Sequence, residues 1–311
     1  MKKWLLVFVV LFLLLMLCDY LLIPATLEIS KVTPVNATPS ATFRFLSDQG
    51  RWKKWWPGQA SDTPSSSFTY KSDTLFVSGK VQHIVEISIA DKGETFKTVC
   101  TILAIPGDSA IIQWRTSMEA GLNPFHRVAQ YRRAHEIKNN FSEIFSSLQS
   151  FLNNKDSVYG QHLAKSSTTD TTLIALRAIY PHYPSTPEIY RLISALSEYS
   201  AQQGARQTGY PIININASDS GQYQIMAALP IDKTLPGKGD IFPRKMIPGN
   251  FIVSEVRGGP HRVEEALTEI QHFFDDYKKI SMAIRFQALI TDRSKEPDSS
   301  KWVTKIYAPV F

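Results

Sequence analysis

Residues 250–277, NFIVSEVRGGPHRVEEALTEIQHFFDDY, contain a strand pattern followed directly by a helix pattern. The strand covers residues 250–256, and Gly258 and Gly259 follow it. Pro260 then marks the start of the helix, because proline is well tolerated in the first turn of a helix. Apolar side chains then recur at three- and four-residue spacing, which predicts a helix with one face packed against another element. These side chains are Val263, Leu267, Ile270, Phe273, Phe274 and Tyr277.

The same order of elements occurs twice, with a period of roughly 80 residues. In the first copy the helix begins at Ser185, a capping residue, and Pro187 lies in its first turn. A repeated βαββ unit favours a pseudo-symmetric domain with a cleft where its halves meet. The predicted strands lie at residues 172–179, 209–216 and 221–231 in the first copy and at 250–256, 283–291 and 301–310 in the second.

The region before the repeat has a different order of elements. A short helix pattern at residues 41–56 ends at Pro57 and Gly58, and residues 31–40 indicate a tether. From residue 128 to 154 the chain lacks Pro and Gly, and its apolar spacing predicts a long amphipathic helix. Strands closed by such a helix predict an α+β domain. The strand patterns lie at residues 67–78, 80–90, 95–105 and 109–118, with breaks at Gly79 and turns at 91–94 and 106–108.

Both regions resemble known families. The repeated βαββ unit, the Gly-Gly-Pro before its second helix and the ending KWVTKIYAPV (301–310) resemble the GyrI-like domain, also called the AraC-type or bacterial-activator effector-binding domain. The run WKKWWP (52–57), the run NPFHR (123–127) and the long helix resemble an SRPBCC domain, the polyketide-cyclase or START-like helix-grip fold. The resemblances imply pockets for small, largely apolar molecules. They place a helix-grip domain at 25–156 and a GyrI-like domain at 157–311.

The GyrI-like resemblance implies a ligand site on the last strand, and this chain departs from the family there. Multidrug sensors of the family usually carry a glutamate in a T-E-I-Y run, which pairs with cationic ligands; in relatives that hydrolyse small molecules the glutamate acts beside a tyrosine. Here the run is TKIY (304–307), so Lys305 takes the place of the glutamate. A buried ammonium needs a counter-charge. Lys305 therefore pairs with a carboxylate such as Glu255, accepts an anionic ligand, or extends to solvent with its stem packed on the strand.

Aromatic residues supply the other candidate ligand contacts. Strand alternation places Tyr307 on the same face as Lys305. Tyr210 and Tyr223 combine an aromatic ring with a polar hydroxyl, which suits either ligand binding or packing. Trp55 belongs to the tryptophan cluster 52–56, which caps the helix-grip core, lines the pocket mouth or forms a membrane-interface belt.

The N-terminal segment predicts a membrane anchor. Lys2 and Lys3 precede an apolar run at residues 4–23, interrupted at Asp19, and about 20 such residues cross a bilayer core. No small-residue cleavage site follows the run, which favours an uncleaved anchor (1–24) over a signal peptide. Because positive charge stays in the cytoplasm, we expect a single-pass inner-membrane protein with both domains on the periplasmic side.

Composition excludes several classes of protein. The chain has 20% charged and 11% aromatic residues, which excludes a disordered protein. Its net charge of +6 is spread along the sequence, so no nucleic-acid partner is expected. Two cysteines form neither a disulfide framework nor a zinc finger, and Cys100 lies in a strand as a small core residue. The histidines do not cluster, so no metal, cofactor or catalytic residue is expected.

The predicted function is binding of a small hydrophobic or amphipathic molecule by a membrane-anchored α+β protein. One alternative is an enzyme, a hydrolase or cyclase that uses the GyrI-like cleft or the helix-grip pocket. Another is a scaffold of the cell envelope with filled pockets. An open apolar cavity favours binding, and a packed interior favours the scaffold. The sequence does not determine the oligomeric state.

Overall fold

The computed structural model describes residues 2–60, 67–91, 94–168, 171–219, 221–246, 248–281 and 283–310. The chain forms two compact units, Met1–Val158 and Tyr159–Phe311. Each contains one antiparallel sheet with helices, so the predicted α+β class is confirmed. The turn predicted at 91–94 includes residues 92 and 93, which lie outside the described residues.

The first unit is a seven-stranded sheet with helices inserted after its first strand and after its last. The strands follow the order β1-β7-β6-β5-β4-β3-β2, so the first and last strands are neighbours. The elements are α1 (Lys2–Leu22), β1 (Thr26–Val35), α2 (Pro39–Ser47), α3 (Gln49–Trp52), β2 (Gln59–Ala60), β3 (Phe68–Tyr70), β4 (Asp73–Val81), β5 (Ile84–Asp91), β6 (Glu94–Ile105), β7 (Ser109–Glu119), α4 (Pro124–Leu152) and α5 (Lys155–Tyr159).

The long helix α4 packs its apolar face against β1 and β7. It starts four residues earlier than predicted, because the Asn123 side chain caps it by accepting hydrogen bonds from the backbone N–H groups of Phe125 and His126. The Phe141 ring stacks on Trp114 of β7 with 4.1 Å between ring centroids. The predicted apolar positions are confirmed as buried at Ile137, Phe141, Ile144, Phe145, Leu148 and Leu152.

Three local predictions in this unit were wrong. The predicted tether overlaps β1, which pairs with β7 from Thr26 to Val35; Pro34 is tolerated there because β1 is an edge strand. The predicted helix at 41–56 is two helices, interrupted at Asp48, whose side chain accepts a hydrogen bond from the backbone N–H of Gly50. Gly79 lies inside β4 at an irregularity in its pairing with β5, and the chain turns later, at residues 82–83.

Helix α1 covers the predicted anchor, and the side chain of Arg127 contacts its C-terminal end. Arg127 donates a hydrogen bond to the carbonyl of Ile23 at 2.8 Å, and its guanidinium lies 4.8 Å from the Tyr20 ring centroid. The side chains at positions 2, 3, 5, 6, 9 and 15 of this helix lie outside the described part. Over the residues that are described, no helix is long and apolar enough to cross a membrane, so the predicted transmembrane anchor is unsupported.

The second unit contains both copies of the βαββ unit in one eight-stranded sheet. In the sheet order β12-β9-β11-β10-β14-β15-β13-β8, the antiparallel strands β10 and β14 are adjacent at the centre, so a pseudo-twofold rotation relates the two copies. The elements are β8 (Ala164–Thr168), β9 (Thr171–Tyr180), α6 (Thr186–Gln202), β10 (Ile212–Ala217), β11 (Tyr223–Pro230), β12 (Ile241–Met246), β13 (Gly249–Arg257), α7 (Pro260–Asp276), β14 (Phe286–Leu289) and β15 (Val303–Val310).

Strands β8 and β12 were not predicted, and each extends the opposite copy of the repeat. β8 pairs with β13, and β12 pairs with β9. Both are edge strands: β8 is mostly polar and β12 contains a proline, so neither sequence shows the alternation of a half-buried strand. Three peptide units join Thr168 to Thr171, and three join Met246 to Gly249, so each pair of Cα atoms lies within about 11 Å. Because these residues belong to opposite edges, the sheet must curl until its edges approach each other.

Helices α6 and α7 cover the same face of this sheet. Ile213 belongs to the hydrophobic core that packs against α6. The strand pairing places Gln287, Ile306 and Ser254 on the same face of the sheet as Ile213. Ser254 donates a hydrogen bond to Gln161, whose amide donates to a carbonyl of α7. We call this side the helix face. The opposite side, which carries Ala175, Ile212, Ala228, Phe251, Glu255, Phe286, Ala288, Lys305 and Tyr307, is the helix-free face.

Candidate functional site

Lys305 and Tyr307 lie on the helix-free face, two residues apart on β15. The neighbouring residues of this strand, Thr304 and Ile306, are fully buried on the helix face. Lys305 and Tyr307 are both half-buried. The alternation inferred from the sequence therefore places the ammonium and the phenol side by side.

Three aromatic rings form a wall next to Lys305. Phe286 of β14 stacks on Tyr307 with a centroid distance of 4.8 Å and an interplanar angle of 10°. Phe251 of β13 contacts both rings edge-on, at 5.7 Å from Phe286 and 6.0 Å from Tyr307. Aromatic pairs of this geometry contribute about 0.5–1.5 kcal/mol beyond their buried area. The wall is thus a firm apolar surface beside a cation.

The charged groups around Lys305 do not form the predicted pair. Glu255 is its cross-strand partner in the register of β13 and β15. The Glu255 carboxylate instead contacts Arg257, with 3.9 Å between Oε1 and Nη2, and remains 47% exposed. Among the described residues no hydrogen bond or ion pair involves the Lys305 ammonium. The structure therefore leaves this cation available to a partner.

The centre of the helix-free face consists of small side chains. Ala175 is fully buried, and Ala228, Ala288 and Ile212 are at most 8% exposed. Larger side chains pack against Ala175, Ala228 and Ile212 and shield them, namely Met226, Phe242, Met246 and Phe286. The sequence predicted none of the shielded residues, since short apolar side chains in strands look like ordinary packing. Their position became visible only through the register.

Two further cations lie on the same face and were also missed. The Arg177 guanidinium lies 5.2 Å from the Phe242 ring centroid, and Arg244 Nη1 lies 3.6 Å from the sulfur of Met226. Arg177 occupies in the first repeat the position that Glu255 occupies in the second, by the register of β9 with β11 and of β13 with β15. An alignment of the two sequence repeats would have identified Arg177 as the equivalent of Glu255. The face carries more positive than negative side chains.

A groove runs along the β8–β13 edge of this sheet and shares Phe251 with the aromatic wall. Its volume is about 480 Å³, within the size range of small-molecule sites. Polar residues dominate its lining, which includes Lys165, Ser166, Asn250 and Lys279. In the pairing of β8 with β13, Lys165 lies opposite Ile252 on the helix face, so this lysine does not add to the charge of the helix-free face.

The other predicted ligand residues do not join this site. Tyr223 belongs to the helix face, where its ring contacts Tyr183 at 5.7 Å. Tyr210 lies in the segment before β10 and is 54% exposed. Trp55 belongs to the first unit, where it is 4% exposed and donates a hydrogen bond to the carbonyl of Phe45 at 3.2 Å. The structure therefore brings together only Lys305, Tyr307 and Glu255.

The space between α4 and the sheet of the first unit is filled by aromatic side chains. Trp52, Trp114, Phe45, Phe141 and Phe145 are each less than 2% exposed. Trp55 edges an open groove of about 380 Å³, together with Lys54, Trp56 and residues of α4. Its indole packs against Trp52 and Trp56, with centroid distances of 5.5 and 5.6 Å. Of the three interpretations of this cluster, the placement of Trp55 fits core packing.

The described residues offer little for metal or thiol chemistry. Within them, no group of three or more His, Cys, Asp or Glu side chains is arranged to hold a metal ion. Cys100 is fully buried in β6, and this burial raises the pKa of its thiol. A thiol held protonated in an apolar core is a poor nucleophile.

Comparison with known proteins gives similarity in structure but not in sequence. No family model matches the chain, and no curated protein matches it. The EcmrR C-terminal domain is similar with a TM-score of 0.43 and 14% identity, over 49% of this chain and 98% of that chain. SAV2435, in a structure bound to tetraphenylphosphonium, has a TM-score of 0.32 and 17% identity, over 48% of this chain and 94% of that chain. A hydrolase from Listeria innocua has a TM-score of 0.39 and 10% identity, over 49% of this chain and 92% of that chain.

Proposed function

We propose that the second unit binds a small amphipathic molecule, neutral or anionic, on its helix-free face. The observation that carries this proposal is the position of Lys305, an ammonium without a described ion-pair partner beside the stacked rings of Phe286 and Tyr307. An apolar body would lie against the rings, and a polar or negative group would face the lysine. Such a combination of apolar lining with a few placed polar groups is typical of small-molecule sites.

The charge of the face favours an anion over a cation. Lys305, Arg177 and Arg244 are positive, and the carboxylate of Glu255 is engaged by Arg257. Two unit charges 4 Å apart interact by about 4 kcal/mol at an effective dielectric near 20. Since Lys305 is half-exposed, solvent weakens this, but one charge of the wrong sign still disfavours a cation by roughly tenfold or more.

We propose binding rather than catalysis as the role of this face. The resemblance to GyrI-like hydrolases implies a glutamate beside the tyrosine, and position 305 supplies an ammonium there. A protonated lysine cannot act as the general base that a carboxylate provides. Hydrolysis by this face is the competing function, and turnover of an ester by the purified chain that is lost in Tyr307→Phe would establish it.

Native mass spectrometry of the purified chain tests the proposal first, because it reports any small molecule that co-purifies. Titration with tetraphenylborate and tetraphenylphosphonium then tests charge preference, since the two ions share size and shape but differ in sign. We expect the borate to bind at least tenfold more tightly. Preferred binding of the phosphonium, or no binding of any apolar probe, would contradict the proposal.

We also propose that residues 4–23 attach the protein to a bilayer, with the two units on the periplasmic side. Supporting this are the two lysines before the apolar run and the solvent exposure of the described apolar side chains of α1, which include Trp4 at 73%, Phe8 at 69% and Leu21 at 75%. Exposed apolar surface of this extent needs a nonpolar environment. The chain from residue 1 should sediment with membranes, and a chain that starts at residue 25 should not. Recovery of both in the soluble fraction would refute the attachment.

A further inference from the structure

Arg293 is buried on the helix face, between β14 and β15, and is only 7% exposed. Its guanidinium lies 4.8 Å from the ring centroid of Trp302, and Nη2 donates a hydrogen bond to the hydroxyl of Thr304 at 2.7 Å. Its backbone N–H donates to the hydroxyl of Tyr190 of α6 at 2.7 Å. The arginine is therefore held in place by neutral groups of α6, of β15 and of the residue that precedes β15.

The charge of Arg293 has no counter-ion within the described part of the chain. Its Nε is buried and has no hydrogen-bond acceptor there. The neighbouring carboxylate of Asp292 accepts from Ser294 and pairs with Lys295 at 3.2 Å. Burial lowers the pKa of Arg293, and the groups that oppose this are the tyrosines 190 and 183, with no carboxylate among them. Arginine nevertheless stays protonated in proteins, and a buried charge without a counter-ion is strongly unfavourable.

Two tyrosines, Tyr183 and Tyr190, lie near this cation. Tyr183 is 43% exposed and contacts Tyr223 edge-on at 5.7 Å, so its ring offers apolar surface to solvent. Tyr190 is half-buried, and its hydroxyl also donates to the carbonyl of Thr291 at 3.3 Å. Burial raises the pKa of Tyr183 and of Tyr190, so both hydroxyls are protonated at neutral pH.

We propose that Arg293 binds the carboxylate of a small aromatic acid whose ring lies against Tyr183. The guanidinium fork matches the two oxygens of a carboxylate. A single negative charge balances the single uncompensated positive charge, whereas a phosphate dianion would leave an excess. The site lies on the opposite face of the sheet from Lys305, so it is a second ligand site, and it does not depend on the function proposed above.

Calorimetric titration of the full chain with naphthalene carboxylate and with its neutral carboxamide tests this site. We expect the carboxylate to bind and the carboxamide to bind at least tenfold more weakly. In a chain that also carries Lys305→Glu, Arg293→Gln should abolish the difference between the two probes. Arg285→Gln is the matched control, because Arg285 also lies over an aromatic ring, that of Phe274 at 5.1 Å, but away from Tyr183. It should bind the carboxylate as the wild type does.

Two further variants separate the possible outcomes. The helix-free face should also attract the carboxylate, so each titration is repeated in chains that carry Lys305→Glu. There the Arg293 site should still prefer the acid, so failure of the helix-free face and failure of this site are distinguishable. If Arg293→Gln does not fold, Tyr183→Ala decides, since its side chain is partly exposed and its loss should weaken binding at least tenfold. In chains that carry Lys305→Glu, equal binding of acid and amide, no binding of either, or unchanged binding by a folded Arg293→Gln or by Tyr183→Ala would overturn the proposal.

Discussion

Glu255 lies directly opposite Lys305 on neighbouring antiparallel strands, yet its carboxylate contacts Arg257 at 3.9 Å. The register makes Glu255 the carboxylate nearest to Lys305 along the strand pair, and the contact with Arg257 draws its charge toward the end of β13. A lysine thus stands beside an aromatic wall without a described counter-charge. This arrangement gives the second unit its predicted preference for neutral or anionic molecules.

Reversal of the charge at position 305 should reverse that preference. We predict that Lys305→Glu weakens tetraphenylborate binding by at least tenfold and strengthens tetraphenylphosphonium binding, because the new carboxylate attracts the cation. Lys301→Glu is the matched control, since its ammonium is 66% exposed and precedes β15. Fluorescence or calorimetric titration measures both probes. Tight phosphonium binding by the wild type that Lys305→Glu leaves unaltered would refute the role of Lys305.

The core of the first unit should depend on the stacked pair of Trp114 and Phe141. We predict that Phe141→Ala lowers the free energy of unfolding by about 3–5 kcal/mol, because it removes a buried ring and leaves a cavity. Phe125→Ala, on the same helix but 72% exposed, should change it by less than about 0.5 kcal/mol. Urea unfolding followed by tryptophan fluorescence measures the difference. Similar costs for the two variants would mean that the interior is not tightly packed.

A buried ion pair should hold the start of β4 to α4. Asp73 is 2% exposed, pairs with Arg133 and accepts a hydrogen bond from Asn140 at 2.9 Å. We predict that Asp73→Asn destabilises the unit by about 3 kcal/mol, because it removes the charge of the buried carboxylate that pairs with a mostly buried guanidinium. Glu136→Gln should cost less than about 1 kcal/mol, since that carboxylate is 66% exposed and also contacts Arg133. Thermal unfolding of the two variants compares them directly.

The contact of Tyr70 with Glu143 should depend on pH at both ends of the range. The hydrogen bond to Glu143 raises the pKa of Tyr70 to about 12, and the hydrogen bonds from Tyr70 and Lys71 lower the pKa of Glu143. The raised pKa of Tyr70 stabilises the fold at pH values below the ordinary pKa of tyrosine, and this contribution disappears as the pH rises toward 12. The lowered pKa of Glu143 stabilises the fold at pH values above the ordinary pKa of glutamate, and this contribution disappears as the pH falls through the lowered pKa.

Replacement of the carboxylate tests this coupling. Glu143→Gln should return the pKa of Tyr70 toward its ordinary 10.0. Tyrosinate absorbance, taken as the difference between chains with and without Tyr70→Phe, follows this one group. Glu136→Gln serves as the control on the same helix. An unchanged Tyr70 titration in Glu143→Gln would show that the hydrogen bond does not form in solution.

The second unit should fold without the first. Its contacts are predominantly internal, and the segment around residues 153–157 is polar and largely exposed. We predict that residues 157–311 alone unfold in one cooperative thermal transition, measured by circular dichroism. The absence of a transition would mean that the two units share a core.

The sequence by itself determined the elements whose stabilising contacts are periodic along the chain. The stripe of α4, the capping box at Ser185 and Glu188 of α6, and the alternation of β15 all follow from side-chain spacing, because each face repeats at 3.6 or 2 residues. These local rules placed Lys305 and Tyr307 on one face. They also placed a βαββ unit in each half of the second unit.

Only the tertiary structure decided which separate segments meet. The edge strands β8 and β12 form because another repeat offers them unpaired backbone groups, which no local pattern records. Pairing in the sheet placed Tyr223 on the face opposite Lys305. The packing of α6 brought the hydroxyl of Tyr190 into hydrogen-bond contact with the backbone of Arg293. The physical reason is that register and sheet curvature depend on contacts between residues far apart in sequence. The composition of both candidate sites is set by those contacts.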